Sequence, residues 1–321
     1  MRMQAYGKSI KALELFCGIG GFSAAASGTN IRVTGAIDQS PAALDVYRLN
    51  FAGHDAFQMN LENITADDLE GFGADFWWLS PPCQPYTVRG AGRDAADPRA
   101  LSFRRILDVM ARMREERLPS YLAMENVEGF CRAEMRRRLI DLLSRRGFRI
   151  QECRLCPTEL GVPMRRPRYY LMASRGQLRP PVLVVDTDLK PLADFLEGAA
   201  EDLPGHLLVA GDVVSKFGKG FRILDPEDPQ AYTTCFTSGY GRSLMHAGSY
   251  LRCEAGVRRF APEEIARLLY FPEGFRFPDR MSLRKRWHLV GNSLSVAAVR
   301  KVLEAFPDIQ SRKQQAASNK F

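Results

Sequence analysis

The sequence predicts an α/β fold, a mostly parallel sheet wound with helices and joined to a small irregular domain. Short apolar runs alternate with helical patterns from residue 12 to residue 173. The first strand runs into a glycine-rich turn that opens a helix. From about Arg175 prolines recur at 180, 181, 191 and 204, and long helical periodicity disappears. With 321 residues, 45% of them hydrophobic, the chain holds enough apolar material for one large domain and a smaller one.

Taken in order, Ala12 to Phe16 is a strand that enters Cys17-Gly18-Ile19-Gly20-Gly21-Phe22, and Ser23 to Ser27 starts a helix. Ser23 stands where the third glycine of G-x-G-x-x-G belongs, so the turn alone is also what a tight structural turn looks like. Ile31 to Ile37 is a second strand ending in Asp38, about 20 residues past the first glycine, where an acid binds ribose hydroxyls. Strand, turn, helix, strand and acid together point to a nucleoside cofactor without saying which. Pro41 to Phe51 is helical, with Ser40 as N-cap and proline at the first position.

Ala74 to Leu79 is a buried strand that delivers Ser80-Pro81-Pro82-Cys83-Gln84-Pro85-Tyr86-Thr87. Three prolines in five positions exclude helix and central strand, leaving a stiff loop with one thiol at a strand's C-terminal end. A lone cysteine is ordinarily a small buried hydrophobe, but this placement favours a nucleophile. Val88 to Arg99, with two glycines and three arginines, has the composition of a lid or of a solvated loop.

Leu101 to Arg117 is an amphipathic helix. Tyr121 to Met124 is a strand closed by Glu125-Asn126-Val127, which sets a carboxyl at the sheet's C-terminal edge. Glu134 to Arg146 is a helix whose Arg136, Arg137 and Arg138 form a solvated face. Phe148 to Leu155 and Arg168 to Ala173 are strands, and the arginines of Met164-Arg165-Arg166-Pro167-Arg168 suit an anion or a base edge.

Within 176–261, Gly211 to Gly220 is expected as loop, and Thr233 to Arg242 mixes hydroxyls, aromatics and an arginine able to stack and bond splayed-out bases. Helices resume at Pro262 to Tyr270, Leu283 to Val290 and Val296 to Phe306, the last opened by Gly291-Asn292-Ser293. The polar segment 307–321 has the composition of a tail.

Net charge is 45 − 37 = +8, with a pI near 9.2, which favours a polyanionic partner. Seven scattered cysteines suit reduced thiols and a cytoplasmic setting, and Cys153-x-x-Cys156 has no second pair, so no metal is expected. No signal-peptide segment or membrane span is expected from the apolar runs.

ELFCGIGGFS, SPPCQPYT, ENV, RPR and GNS, in that order, resemble the cytosine-5 methyltransferase family over residues 12–173 and 262–305. Cys235-Phe236-Thr237 followed by Gly239-Tyr240, with RRFAPEEIARLL and FPEGFRFP, is similar to the branch that methylates the anticodon loop of transfer RNA. The chain departs from the family at Met164, where a Gln is usual, at Asn60, where DNA enzymes often have an acid, and at Ser243, where a second tyrosine is expected.

The resemblance implies a Rossmann-like methyltransferase using S-adenosylmethionine. Its catalytic domain would span 1–175 and 262–306, and its recognition domain 176–261. It implies that the Cys83 thiolate adds to carbon 6 of cytosine while Glu125 bonds ring nitrogen 3 and the amine, and that Arg166 and Arg168 hold the base's carbonyl and the backbone. Phe16, Gly18, Ile19, Gly21, Asp38, Gln39, Asn60, Leu61, Pro82, Ser102, Asn292 and Ser293 would line the cofactor site. Arg89, Arg93, Cys235, Phe236, Thr237 and Tyr240 would touch the substrate.

The implied partner is tRNA, bound by a monomer with a weaker affinity for DNA. A small recognition domain and the low cost of flipping a loop base favour RNA over duplex DNA. A DNA cytosine-5 methyltransferase has the same chemistry and is the alternative. A nicotinamide dehydrogenase would explain the turn and Asp38 but gives Cys83 no task, and a silent nucleic-acid-binding protein would explain only the charge.

Overall fold

The computed structural model describes residues 9–86, 94–180, 187–197 and 205–310. By their contacts they divide into two compact units, one drawn from 1–155, 167–183 and 299–321, the other from 156–166 and 184–298.

The first unit is built on a seven-stranded sheet of order β3-β2-β1-β4-β5-β7-β6. Its strands are β1 (Ile10–Leu15), β2 (Ile31–Asp38), β3 (Ala56–Gln58), β4 (Phe76–Leu79), β5 (Tyr121–Val127), β6 (Arg149–Leu155) and β7 (Arg168–Ser174). β3, β2, β1, β4 and β5 are mutually parallel, and β7 runs antiparallel between β5 and β6. This is a doubly wound sheet with one reversed strand, the expected Rossmann-like class. The strand order reverses at β1 and β4, so the turns that follow these two strands flank the switch-point crevice where such sheets bind ligands.

Side-chain alternation along β4 assigns the two faces. Trp77 and Leu79 join the core under α3 (Ala66–Gly71), α4 (Leu101–Arg112) and α5 (Glu134–Arg145), with Phe103, Ile106, Leu139 and Leu143. Phe76 and Trp78 point the other way and stack on Phe22 of α1 (Gly21–Ala26), at ring separations of 5.6 and 5.2 Å. α2 (Pro41–Asn50) adds Leu44 and Tyr47 to that second face. It starts as expected, with Ser40 Oγ accepting from Ala43 N–H and Pro41 at the first position. α4 is shorter than expected. It stops at Arg112, and a separate 3₁₀ turn covers Glu115–Arg117.

Residues 307–310 are not loose tail. Asn30 N–H donates to the Gln310 carbonyl, Gln310 N–H donates to Asn30 Oδ1, and the Asn30 amide donates to the Asp308 carbonyl. These bonds dock the segment beside the start of β2.

The second unit holds a three-stranded sheet of order β10-β9-β8, made of β8 (Ile223–Leu224), β9 (Tyr250–Cys253) and β10 (Gly256–Arg259). Among the described residues its helices are α6 (Gly211–Phe217), α7 (Pro262–Leu268) and α8 (Leu283–Gly291), while α9 (Val296–Leu303) begins in this unit and runs into the first at Val299. α6 replaces the expected loop at the start of 211–220 and buries none of its residues, which is why no apolar periodicity announced it. Residues 262–298, grouped from sequence with the catalytic domain, pack in this second unit. Trp287 of α8 lies edge-on to Tyr240 and donates to the Phe260 carbonyl, while Arg258 of β10 forks onto Glu264 of α7 at 2.8 Å twice, both buried.

Candidate active site

The turn after β1 is wound through three left-handed residues, Phe16 (φ 58°), Gly18 (φ 53°) and Gly20 (φ 90°). Phe16 is the strained one, since a side chain at positive φ costs on the order of 1 kcal/mol or more. Two things hold it. Cys17 N–H donates to the Ile37 carbonyl of β2 at 2.9 Å, and Gly18 N–H donates to Asp38 Oδ2 at 2.9 Å. The other Asp38 oxygen accepts from Ser40 N–H at 2.8 Å. Asp38 therefore ties the glycine turn to the start of α2. Burial pushes its carboxyl above the usual range, against the lowering effect of the Ser40 and Gly18 N–H bonds.

Beneath the turn lies a group that sequence reasoning passed over. Glu14 of β1 is fully buried, and burial pushes its carboxyl up to about 8. Its Oε1 accepts from Phe22 N–H at the start of α1, and its Oε2 accepts from Ser23 Oγ at 2.6 Å. Ser23 Oγ in turn meets Tyr47 OH at 2.6 Å, and Tyr47 OH meets His54 Nδ1 at 3.0 Å. The signal was present, a carboxyl in the middle of the apolar run Ala-Leu-Glu-Leu-Phe.

The cysteine loop leaves β4 at Ser80, whose N–H donates to the Leu15 carbonyl and whose Oγ accepts from Trp78 Nε1. Pro81 cannot donate, but its carbonyl accepts from the Asn126 amide at 3.1 Å. Asn126 is buried at the end of β5, and its Oδ1 accepts from Val127 N–H at 2.9 Å. Tyr86 N–H closes a 3₁₀ turn onto the Cys83 carbonyl. Gly129 fastens the far side, because a methyl group there would overlap the Tyr86 carbonyl oxygen. The Tyr86 ring meets Phe130 edge-on at 4.8 Å.

The half-buried Cys83 thus sits on a loop bolted at both ends to the segment that follows β5. The end of β5 itself presents Glu125, paired with Arg168 Nε of β7 at 3.1 Å, the two side chains only 12% and 13% exposed. Antiparallel register places Val127 opposite Arg168 and so brings the pair together. Arg99 forks onto Asp97 at 2.9 and 2.7 Å. That hydrogen bond chiefly raises the guanidinium's pKa, and the charge of Cys83 adds to the rise, which puts a cation within electrostatic reach of the thiol.

In the second unit the structure changes the reading of three expected site residues. Arg166 is 4% exposed, and its terminal nitrogens are engaged with its own unit. Nη1 donates to the Phe236 carbonyl and to Cys235 Sγ, both at 2.9 Å, and Nη2 donates to the carbonyls of Gly291, at 3.2 Å, and Ser293. It holds protein backbone where a base contact was expected. Phe236 and Tyr240, expected to stack on bases, are each 1% exposed and edge-on to one another at 4.9 Å. Tyr240 OH donates to the Ser249 carbonyl and accepts from Phe260 N–H, so these rings are the unit's core. Cys235 is half-buried, and Thr237 and Asn292 are exposed.

A family model for C-5 cytosine-specific DNA methylases matches residues 10–206. The chain belongs to this family. It is 31% identical to the tRNA (cytosine(38)-C(5))-methyltransferase of Schizosaccharomyces pombe, over 91% of this chain and 95% of that one. The enzyme of the same name from Bos taurus is 29% identical over 93% and 99%. The crystal structure of the S. pombe Dnmt2 methyltransferase superposes with a TM-score of 0.80 at 29% identity, covering 92% of this chain and 97% of that one.

C-5 cytosine methyltransferases take their methyl group from S-adenosylmethionine, and the first unit fits that group. Gly18 borders open space, and Asp38 keeps lone pairs for hydroxyls beside its two N–H bonds. Ile19, Gly21, Leu61 and Asp38 are buried or half-buried around the ends of β1 and β2 and beyond β3, while Gln39 and Asn60 are exposed. Asn60 is already spent in part, its Oδ1 capping the 3₁₀ turn Leu61–Asn63. Pro82 is half-buried on the cysteine loop, and Ser102 is half-buried in the first turn of α4. Ser293 lies in the second unit with Asn292. Arg89 and Arg93 lie outside the described residues. Among the described residues no His, Cys, Asp and Glu group could hold a metal, and no helix is long and apolar enough to cross a membrane.

Proposed function

We propose that this methyltransferase modifies carbon 5 of a cytosine in the anticodon loop of tRNA through a covalent Cys83 adduct. One observation carries the reading: the Asn126 amide fastens the Cys83 loop to the strand end that presents Glu125. Nucleophile and carboxyl are thereby set from two adjacent parallel strands, β4 and β5.

When bound, S-adenosylmethionine supplies an electrophilic methyl group. Cys83 supplies the other half of the chemistry. Its thiolate forms a bond to carbon 6, the carbon 5–carbon 6 π pair moves onto carbon 5, and the ring becomes an enamine. Glu125, oriented by Arg168, accepts from the exocyclic amine and shares a proton with ring nitrogen 3, where negative charge develops on addition, taking that proton back when the thiolate leaves. After substitution at carbon 5, the proton on that carbon passes to water. The sulfur–carbon bond breaks and the thiolate is regenerated.

The tRNA substrate is supported by the names of the relatives, by the net charge of +8 and by the low cost of splaying a loop base. We assign its recognition to 176–261, with Thr237 and Cys235 as contacts. The family model's own description favours DNA as a second reading. Methylation assays run in parallel on tRNA and duplex DNA decide between them, since faster turnover on DNA refutes the tRNA assignment. A tRNA bearing 5-fluorocytosine should trap the wild-type protein covalently and Cys83→Ala not at all. Absence of any adduct with the wild type refutes the mechanism.

A further inference from the structure

Within the second unit, three segments remote in sequence meet at one guanidinium. Arg166 donates to Cys235 and Phe236, which lie 69 and 70 residues on, and to Gly291 and Ser293, which lie 125 and 127 residues on. Its Nε is buried without a partner, so the whole hydrogen-bonding yield of this side chain comes from those four acceptors.

The same two segments also touch directly. Gly291 has no room for a side chain, because a Cβ there would overlap the Thr237 carbonyl and lie 2.8 Å from Ser238 N. His288 of α8 is a third tie. Its Nδ1 lies 3.2 Å from the Ser238 carbonyl and its Nε2 lies 3.3 Å from the Asn292 amide nitrogen. The carbonyl can only accept, so Nδ1 donates to it, and Nε2 then accepts from Asn292. A hydrogen-bonded chain therefore runs from Asn292 through His288 to the backbone of Ser238.

We propose that Arg166 and His288 are positioning residues that make the 291–293 turn and the 235–238 loop one coupled element. Ordering of either segment by its ligand then orders the other. The inference rests on reading Asn292 and Ser293 as cofactor contacts and Thr237 as an RNA contact. Linkage requires the effect to be reciprocal: cofactor tightens RNA binding by the factor by which RNA tightens cofactor binding. Typical couplings of this kind are about 5- to 150-fold. A buried arginine bound to carbonyls suits the task, because its planar fork engages several acceptors in one fixed geometry and an ammonium does not.

The test is hydrogen exchange of the full chain with S-adenosylhomocysteine and no RNA, following peptides that cover 235–240 and 291–296. Both should slow several-fold in the wild type. In Arg166→Lys, and in His288→Ala on the exposed face of α8, protection of 291–296 should persist while that of 235–240 is lost. The gain in tRNA affinity on adding S-adenosylhomocysteine should shrink in both variants. His288→Ala removes an exposed side chain and keeps the fold testable if Arg166→Lys does not accumulate. Protection of 291–296 with no change at 235–240 in the wild type overturns the coupling. Protection of neither segment overturns it too, and removes the cofactor role of Asn292 and Ser293 with it. Full coupling retained in both variants refutes the roles given to Arg166 and His288.

Discussion

Replacing Asn126 by alanine tests whether the tie between β5 and the cysteine loop positions the thiol. The change removes the 3.1 Å bond to the Pro81 carbonyl and the 2.9 Å bond from Val127 N–H. Pro81 is buried, so its carbonyl loses a partner that water does not replace, at a cost of about 1–3 kcal/mol. Val127 is half-buried, and its N–H adds roughly 1 kcal/mol at the low end of the same range. Relief of burying the asparagine amide offsets part of this, leaving a net loss of about 2 kcal/mol. Held by that much less, the loop visits undocked positions about 30-fold more often, since each 1.4 kcal/mol is a factor of ten. Displacing a reacting group by 1 Å can cost about 100-fold in rate. Single-turnover methylation of Asn126→Ala should therefore fall 10- to 100-fold, with binding of S-adenosylhomocysteine unchanged and the urea midpoint lowered. A lowered midpoint with turnover within two-fold of wild type would refute the reasoning, because the tie would then stabilise the fold without aiming the thiol.

The buried Glu14 carboxyl makes stability depend on pH. Its folded pKa, about 8, is raised above the ordinary value of 4.5, so its contribution is full below about pH 4.5 and is lost as pH rises towards 8. Glu14→Gln should therefore gain stability over wild type between pH 6 and pH 8.5, by an amount on the order of a few kcal/mol, and parallel stability–pH curves would sink the idea. Gly129→Ala should push the Tyr86 carbonyl aside at a cost of about 1–3 kcal/mol and slow adduct formation with 5-fluorocytosine tRNA, while an unaltered trapping rate would show the loop tolerates the methyl. Phe236→Ala should lower stability by about 3–5 kcal/mol in denaturant titrations, and selective loss of RNA affinity at unchanged stability would restore a stacking role.

What the sequence made legible follows the range over which each residue acts. Ser40 and Pro41 start α2 because a hydroxyl N-cap and a fixed φ act within one turn, and both are visible in the letters. The glycine turn, Asp38 and the cysteine loop were readable for the same reason, since strand, turn and acid lie within about 20 residues and three prolines restrict the loop by themselves. Strand order was not. Nothing local to Arg168–Ser174 says that β7 inserts antiparallel between β5 and β6, although this insertion pairs Arg168 with Glu125. The residues whose roles changed are those whose partners come from far along the chain. Phe236 and Tyr240 sit among glycines and hydroxyls and look like surface, but Phe260 and Trp287 arrive later to enclose them. Arg166 shows the limit most clearly. An arginine between prolines and strands is chemically apt for an anion, and the letters distinguish it from Arg168 by position alone. Only the arrival of three backbone carbonyls and the Cys235 sulfur from residues 235–293 commits its fork to the protein itself, while Arg168, two residues on, keeps a carboxylate partner. Two arginines of one motif therefore divide the work, one paired with the Glu125 carboxyl and one holding a loop to a turn.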